Sequence, residues 1–524
     1  MNHPANKGAI SLLAGALLLV SSVAFGNVEP LRPGLAKELQ QARTYTVRTA
    51  PSAPLEIAKP ALPDISGYTA EAVAAKIVRS TAGKVSVRRM MQENALKDFI
   101  GGDNKMAEWV VRQGGIPQAI FIDDGYVNLK DLARRLPKKY FSETAPGVYL
   151  ARLPIVVGHK GILDIDSSTR ELRLSEEAGA FMVNDGQLFV RDTKVTGWRE
   201  KANGPATFRD AKEFRPFLLA WGGTETYIVN STMASFGYAN SKSYDGVSIS
   251  QYTPNMAKVV KRDEPTGWIL GSEFSDMWYG FYCYETRDFV VKGNTYRDNI
   301  VYGIDPHDRS RGLIIADNDV FGTQRKHGII ISREVNDSFI FNNRSHDNKL
   351  SGLVIDRNSS NNLIADNQIF QNHTDGITLY ESGDNLLWGN KVINNRRHGI
   401  RVRNSVNIRL YENIALANGL TGIYGHIKDL TDTDRDIDLD PFDTQVSLIL
   451  VGGELAGNGS GPLSIDSPLS IELYRVSMLA PSKSSGISFN GILGERQSEI
   501  LDLLVRQQKA VLIDPVERQT EMRD

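Results

Sequence analysis

The segment Tyr302-Gly303-Ile304-Asp305-Pro306-His307-Asp308 places a phenol, two carboxylates and an imidazole in one short run, and Lys326, His327 and Arg333 follow soon after. Imidazole titrates near neutrality, so His307 is the candidate general base, with Asp305 and Asp308 beside it and Tyr302 able to give a proton. Arg309, Arg311, Arg325, Lys326 and Arg333 crowd the same stretch. Solvated faces explain single cations. Their density beside a polar cluster points instead to an anionic ligand.

The elements that must hold these groups are read from a repeat. Glycines 280, 303, 328, 352, 376, 399 and 422 each open a Gly-apolar-x-apolar-x signal, at intervals of 23, 25, 24, 24, 23 and 23 residues. Such a period predicts a solenoid, whose coils bury their apolar face only against neighbours. Strand alternation then sorts each coil by position after its glycine. Positions one and three turn inward, which puts Cys283 in the core as a packing residue. Position two (Tyr282, Asp305, Ile330, Val354, Thr378, Arg401, Tyr424) and position four (Tyr284, His307, Ser332, Asp356, Tyr380, Arg403, His426) turn outward. Neighbouring coils lie roughly 4.8 Å apart, so these columns line a groove for an extended polymer. Ile330 and Val354 are apolar where water is expected, which calls for a covering loop or a sugar ring. A recurring asparagine (294, 318, 342, 367, 390 and 413) is expected to form a hydrogen-bonded ladder.

Around the array, residues 1–26 read as a signal peptide with an apolar run from Ile10 to Phe25. Residues 27–146 read as an extended lead-in followed by an N-terminal helical cap, with helices over 69–80, 88–113 and 127–136. The β-helix is expected over 147–480, with 241–262 as a loop over the groove and 429–443 as an acidic interruption. Residues 481–524 form a C-terminal cap with helical character. Net charge is −2 and the pI is near 6.5, which argues against a basic nucleic-acid binder. One cysteine allows no internal disulfide. Sequence signatures of zinc proteases, P-loops and serine triads are absent, and Asp432–Asp436 lacks the glycine and final glutamate of a calcium loop. His346 and His373 are expected in solvated turns.

The Tyr302–Asp308 segment resembles the YG-x-DPH-[DE] signature of alginate (mannuronan) C5-epimerases, in their periplasmic branch that lacks calcium-binding repeats. The resemblance implies a right-handed parallel β-helix acting on polymannuronate in the periplasm, beside the proteins of an alginate polymerisation and export complex, without cofactor or metal. Epimerisation removes a proton α to a carboxylate and returns one from the opposite face, so the developing dianion must be neutralised. His307 is then the base and Arg333 the carboxylate partner, aided by Lys326. Asp305 or Asp308 orients the imidazole or shares a proton with the substrate carboxylate. Tyr302 is the candidate acid, with water as its rival. Arg309, His327, Arg357 and Arg403 are candidates for holding neighbouring uronates. Arg333 lies five residues past its glycine, where strict alternation would turn it inward, so the strand is expected to end before it. A polyuronate lyase shares the first step, and a non-catalytic scaffold of a secretion complex is the reading from another class.

Overall fold

Each coil of the chain contributes three strands, and these stack into three parallel columns. In the computed structural model the described residues are 45–49, 57–92, 105–239, 245–252, 262–438, 440–479 and 489–516. The signal-peptide segment and most of the 241–262 loop lie outside them. One coil runs Tyr302–His307, Ile314–Ala316 and Asp319–Phe321, and the next repeats it at Ile329–Ser332, Phe339–Phe341 and Arg344–His346. The registers pair Tyr284 with His307, His307 with Ser332, Ser332 with Asp356, Asp356 with Tyr380, Tyr380 with Arg403 and Arg403 with His426. The position-four column is therefore a real ladder. Inward residues such as Cys283, Ile304, Ile331, Ile355 and Leu379 are inaccessible and share one core.

The repeated glycine is required by space. A Cβ at Gly303 would fall 2.3 Å from Val320 Cγ1 and 2.8 Å from Gly328 O, so a side chain there would push adjacent coils apart. The turns are held by asparagine. Asn318 receives from Asn294 and donates through Nδ2 to Asn343 Oδ1 at 2.9 Å and to Val291 O at 2.9 Å. The ladder continues through Asn367, Asn390 and Asn413. Its third member is Asn343 and not Asn342. The 25-residue coil adds a residue, and Asn342 takes up the left-handed turn with φ 55°. A second ladder, Asn348, Asn372, Asn395, Asn418 and Asn458, closes the other turn. Both satisfy buried backbone groups that a tight coil cannot pair by itself.

The ends differ from expectation. Parallel pairing begins before residue 147, because Gln118–Asn128 already aligns with Ile155–Ile165. Only Lys105–Gln113 of the 88–113 segment is described as α-helix; Val85–Arg89 is a strand antiparallel to Gln118–Asn128. Leu129–Arg135 is helical and sends Leu129 and Leu132 into the core. Helix Ala70–Ala75 lies along the flank, with Val73 packed beside Phe189 and Tyr227.

The lead-in is a strap. Tyr45–Thr49 pairs antiparallel with Val511–Pro515, which itself pairs with Ser470–Tyr474 at the C-terminal coils. Residues 57–79 then touch successively earlier coils. Lys59 meets Asp366 at 2.5 Å, Lys292 donates to Ile65 O at 2.9 Å, and Arg79 meets Asp164 at 3.1 Å. The tail is helical over Ile492–Glu495 and Gln497–Leu501, continues as a π-helix through Arg506, and closes with the Val511–Pro515 strand.

Candidate active site

The chemistry gathers where strand Tyr302–His307 meets the turn that follows. His307 Nδ1 contacts Asp308 Oδ2, so the neighbouring carboxylate holds one ring nitrogen. Asp308 sits at φ 34° and Arg333, one coil on, at φ 63°; Glu285, Arg357, Glu381 and Asn404 occupy the corresponding left-handed positions. Strand Ile329–Ser332 ends one residue before Arg333. The left-handed residue reverses the alternation, so positions four and five both face the groove. A further column results: Glu285, Asp308, Arg333, Arg357 and Glu381, each donating its amide to a carbonyl of the next coil, as Asp308 does to Ser332 and Arg333 to Asp356. Arg333 Nη1 lies 3.7 Å from Asp308 Oδ1.

A cavity opens above these residues, lined by Tyr279, Tyr282, Tyr302, Asp305, His307, Ile330, Ser332, Asp356 and Arg357. It brings Tyr302, Asp305 and His307 together, as the sequence expects, and adds two phenols. The Tyr282 ring lies 5.9 Å from the His307 ring, and its buried hydroxyl has no hydrogen-bond partner among the described residues. Burial, reinforced by Asp305, raises Tyr279, Tyr282 and Tyr302 far above the ordinary phenol range. They are therefore protonated at any working pH. Burial also pushes the Asp356 carboxyl up to about 6, despite Arg357 beside it.

Two walls flank the cavity. Phe208 and Ala211 cover Trp278, Tyr302, Ile330 and Val354, which explains the two apolar outward residues. Arg325 lies 5.2 Å from the Phe208 and Trp278 rings. Arg215, buried beneath, fastens this segment by donating to Phe236 O and contacting Asp276 O. The acidic interruption makes the other wall. Asp440 Oδ2 accepts from Arg333 Nη2 and from Arg357 Nη1, both at 3.0 Å. Arg435 bridges Glu381 at 2.7 Å and the Asp440 carbonyl at 2.6 Å.

The remaining expected residues divide. Lys326 Nζ lies 5.3 Å over the Tyr302 ring. His327 stacks on Tyr302 at 6.1 Å and accepts from the Ser351 amide; burial and Lys326 push it down to about 4, so it braces the tyrosine as a neutral ring. Arg309 pairs with Glu285 and Tyr284, on the coil before the cavity. Arg357 lines the cavity, and Arg403 lines its extension beside Tyr380, where it pairs with Glu381. His346 is not a solvated turn residue. It stacks between Phe321 and Phe370 and bonds Asp319 and Asp347. Sequence reasoning did not pick out Asp440, Arg435 or Phe208, because no periodicity places them. Tyr282 and Asp356 were visible only as members of outward columns. Among the described residues no group of three His, Cys, Asp or Glu side chains is arranged to hold a metal ion.

Stacked three-strand coils with an acid–base cleft along one column define a parallel β-helix enzyme. The family described as "Right handed beta helix region" matches residues 279–429. A mannuronan C5-epimerase of Pseudomonas fluorescens is 79% identical over 526 residues, covering 100% of this chain and 99% of the relative. Mannuronan C5-epimerase AlgG of Azotobacter vinelandii is 61% identical, covering 96% of each. The crystal structure of a periplasmic alginate epimerase, AlgG, aligns at TM-score 0.80 and 72% identity, over 81% of this chain and 100% of that one. The chain belongs to the mannuronan C5-epimerase family.

Proposed function

We propose that the groove binds polymannuronate and that the cleft inverts C5 of a residue within the polymer, giving guluronate. The observation that carries the assignment of roles is the His307–Asp308 contact beside Arg333, on two coils in parallel register. Asp308 holds Nδ1, which assigns proton abstraction to Nε2. As the C5–H bond breaks, its electrons pass into the carboxylate, and Arg333 neutralises the dianion that forms. Tyr302, protonated in its buried site, delivers a proton to the opposite ring face. The imidazolium and phenolate then exchange a proton through solvent, restoring both groups. Arg357 and Arg403 hold neighbouring uronates along the groove.

The polymer in transit between synthesis and export is the fitting substrate. That places the enzyme in the periplasm after removal of residues 1–26, beside the proteins that make and export alginate. Proton NMR of polymannuronate incubated in D2O tests the chemistry. Guluronate carrying deuterium at C5, with chain length unchanged, is expected. Unsaturated ends with falling length would show β-elimination instead and overturn the proposal.

A further inference from the structure

Asp440 reaches the site from outside the coil register. The second asparagine ladder advances by 23 residues from Asn395 to Asn418 and by 40 from Asn418 to Asn458, because the 429–443 insert intervenes. The insert carries seven aspartates and one arginine. It nevertheless walls a groove that, on the reading above, receives a polyanion. Like charge at that place opposes binding, unless a carboxylate of the wall stands where a carboxylate of the polymer will stand. Asp440 is so placed. It is buried, and its single oxygen Oδ2 accepts from both guanidiniums. The insert is held by the buried Leu430 and by Arg435, while Thr431–Asp434 and 436–438 are exposed.

We infer that Asp440 is a specificity-determining residue: its carboxylate occupies the Arg333–Arg357 pair in the free enzyme, and a ligand must bring its own carboxylate to displace it. The inference rests on the polyuronate reading of the groove. Forked pairing with a carboxylate uses two parallel N–H groups of one guanidinium. Arg333 Nη2 and Arg357 Nη1 are both engaged by Asp440, so a uronate carboxylate bridges the two guanidiniums only after the aspartate leaves. A neutral sugar offers nothing in exchange and would leave two partly buried guanidiniums without their carboxylate. The insert thereby rejects polymers lacking an acid at this position, and the uronate that enters replaces like with like.

Calorimetric binding of oligomannuronate to the full chain and to Asp440→Asn and Asp440→Ala tests this, with inorganic sulfate as the competing probe. Removal of the resident carboxylate is expected to tighten oligomannuronate binding about tenfold. It is also expected to make binding sensitive to sulfate at concentrations that leave the parent unaffected. Unchanged or weaker oligomannuronate affinity in both variants overturns the inference, since a residue that merely positions the arginines would lose affinity on removal. Hydrogen exchange of the insert supplies the second readout. Faster exchange on adding oligomannuronate is expected, and slower exchange, a wall that clamps down, overturns displacement. Absence of binding by the parent and both variants would instead overturn the polyuronate reading itself.

Discussion

Two clusters of histidine, tyrosine, arginine and aspartate stand on the same groove, and they differ in what touches the imidazole. Around His307, a carboxylate touches the imidazole and the arginine stands beyond that carboxylate. Four to five coils downstream the order is reversed. Arg401 Nε donates to His426 Nε2 at 3.0 Å, and His398, Tyr424 and His426 stack at 4.5 and 4.7 Å. Burial, with Arg401 adding to it, pushes His398 down to about 4 and His426 down to about 3. Tyr424 gives its hydroxyl to Asp466 at 2.9 Å. The same residue types therefore form a carboxylate-bound imidazole in one place and a neutral ring stack in the other. Burial is the main cause of the neutral rings in the second cluster, and the contacts differ as well, a carboxylate on His307 and a guanidinium on His426.

The largest effect that would sharpen this contrast comes from the two histidines. His307→Gln is expected to lower kcat about a thousandfold, whereas His426→Gln should stay within roughly threefold of the parent, since it moves no proton. Comparable losses in both, measured by the NMR assay, would break the distinction. Arg333→Ala is expected to cost on the order of a hundredfold or more in kcat, because the dianion loses its counter-charge. Near-parent turnover would remove Arg333 from the mechanism.

The ring stack should instead show itself in stability. The folded pKa values of His398 and His426 lie below the ordinary 6.5, so the unfolded chain binds protons first as pH falls. Their contribution is complete above pH 6.5 and is lost as pH drops from there through about 4 and about 3. At full extent the effect is on the order of a few kcal/mol, reduced by solvent screening of these incompletely buried rings. Urea unfolding of His426→Gln between pH 7 and 4 should therefore show a shallower acid loss than the parent; an equal slope would contradict it. The smallest effect is local. Arg401→Gln should raise the His426 pKa by roughly one unit in an NMR titration, and no shift would show that burial acts alone.

Much of the fold was legible because a solenoid repeats its physics. The glycine at each close approach, the inward apolar pair and the outward columns recur, so one coil teaches the next. The Asn342–Asn343 slip shows the limit: counting by period fails where a coil gains a residue, and the backbone shifts the ladder by one. The outward turn of Arg333 required a left-handed residue that alternation cannot foresee, although the end of the strand was readable. The walls were illegible for another reason. Asp440 lies 107 residues from Arg333 in the chain, and neither Phe208 nor Asp440 obeys the repeat, so only the assembled fold brings them to the cleft.

The strap, described at 45–49 and 57–79, makes the molecule count its own coils. A solenoid held only by neighbour contacts can gain or lose a repeat with little penalty elsewhere. Here one segment is fastened at both extremes, to Val511–Pro515 at one end and to Asp164 at the other, with Lys59 and Lys292 as fixed marks between. Adding or deleting a coil would change the span by roughly 4.8 Å and throw every mark after it out of line. The strap is a ruler, and the number of turns in the groove is the length it measures.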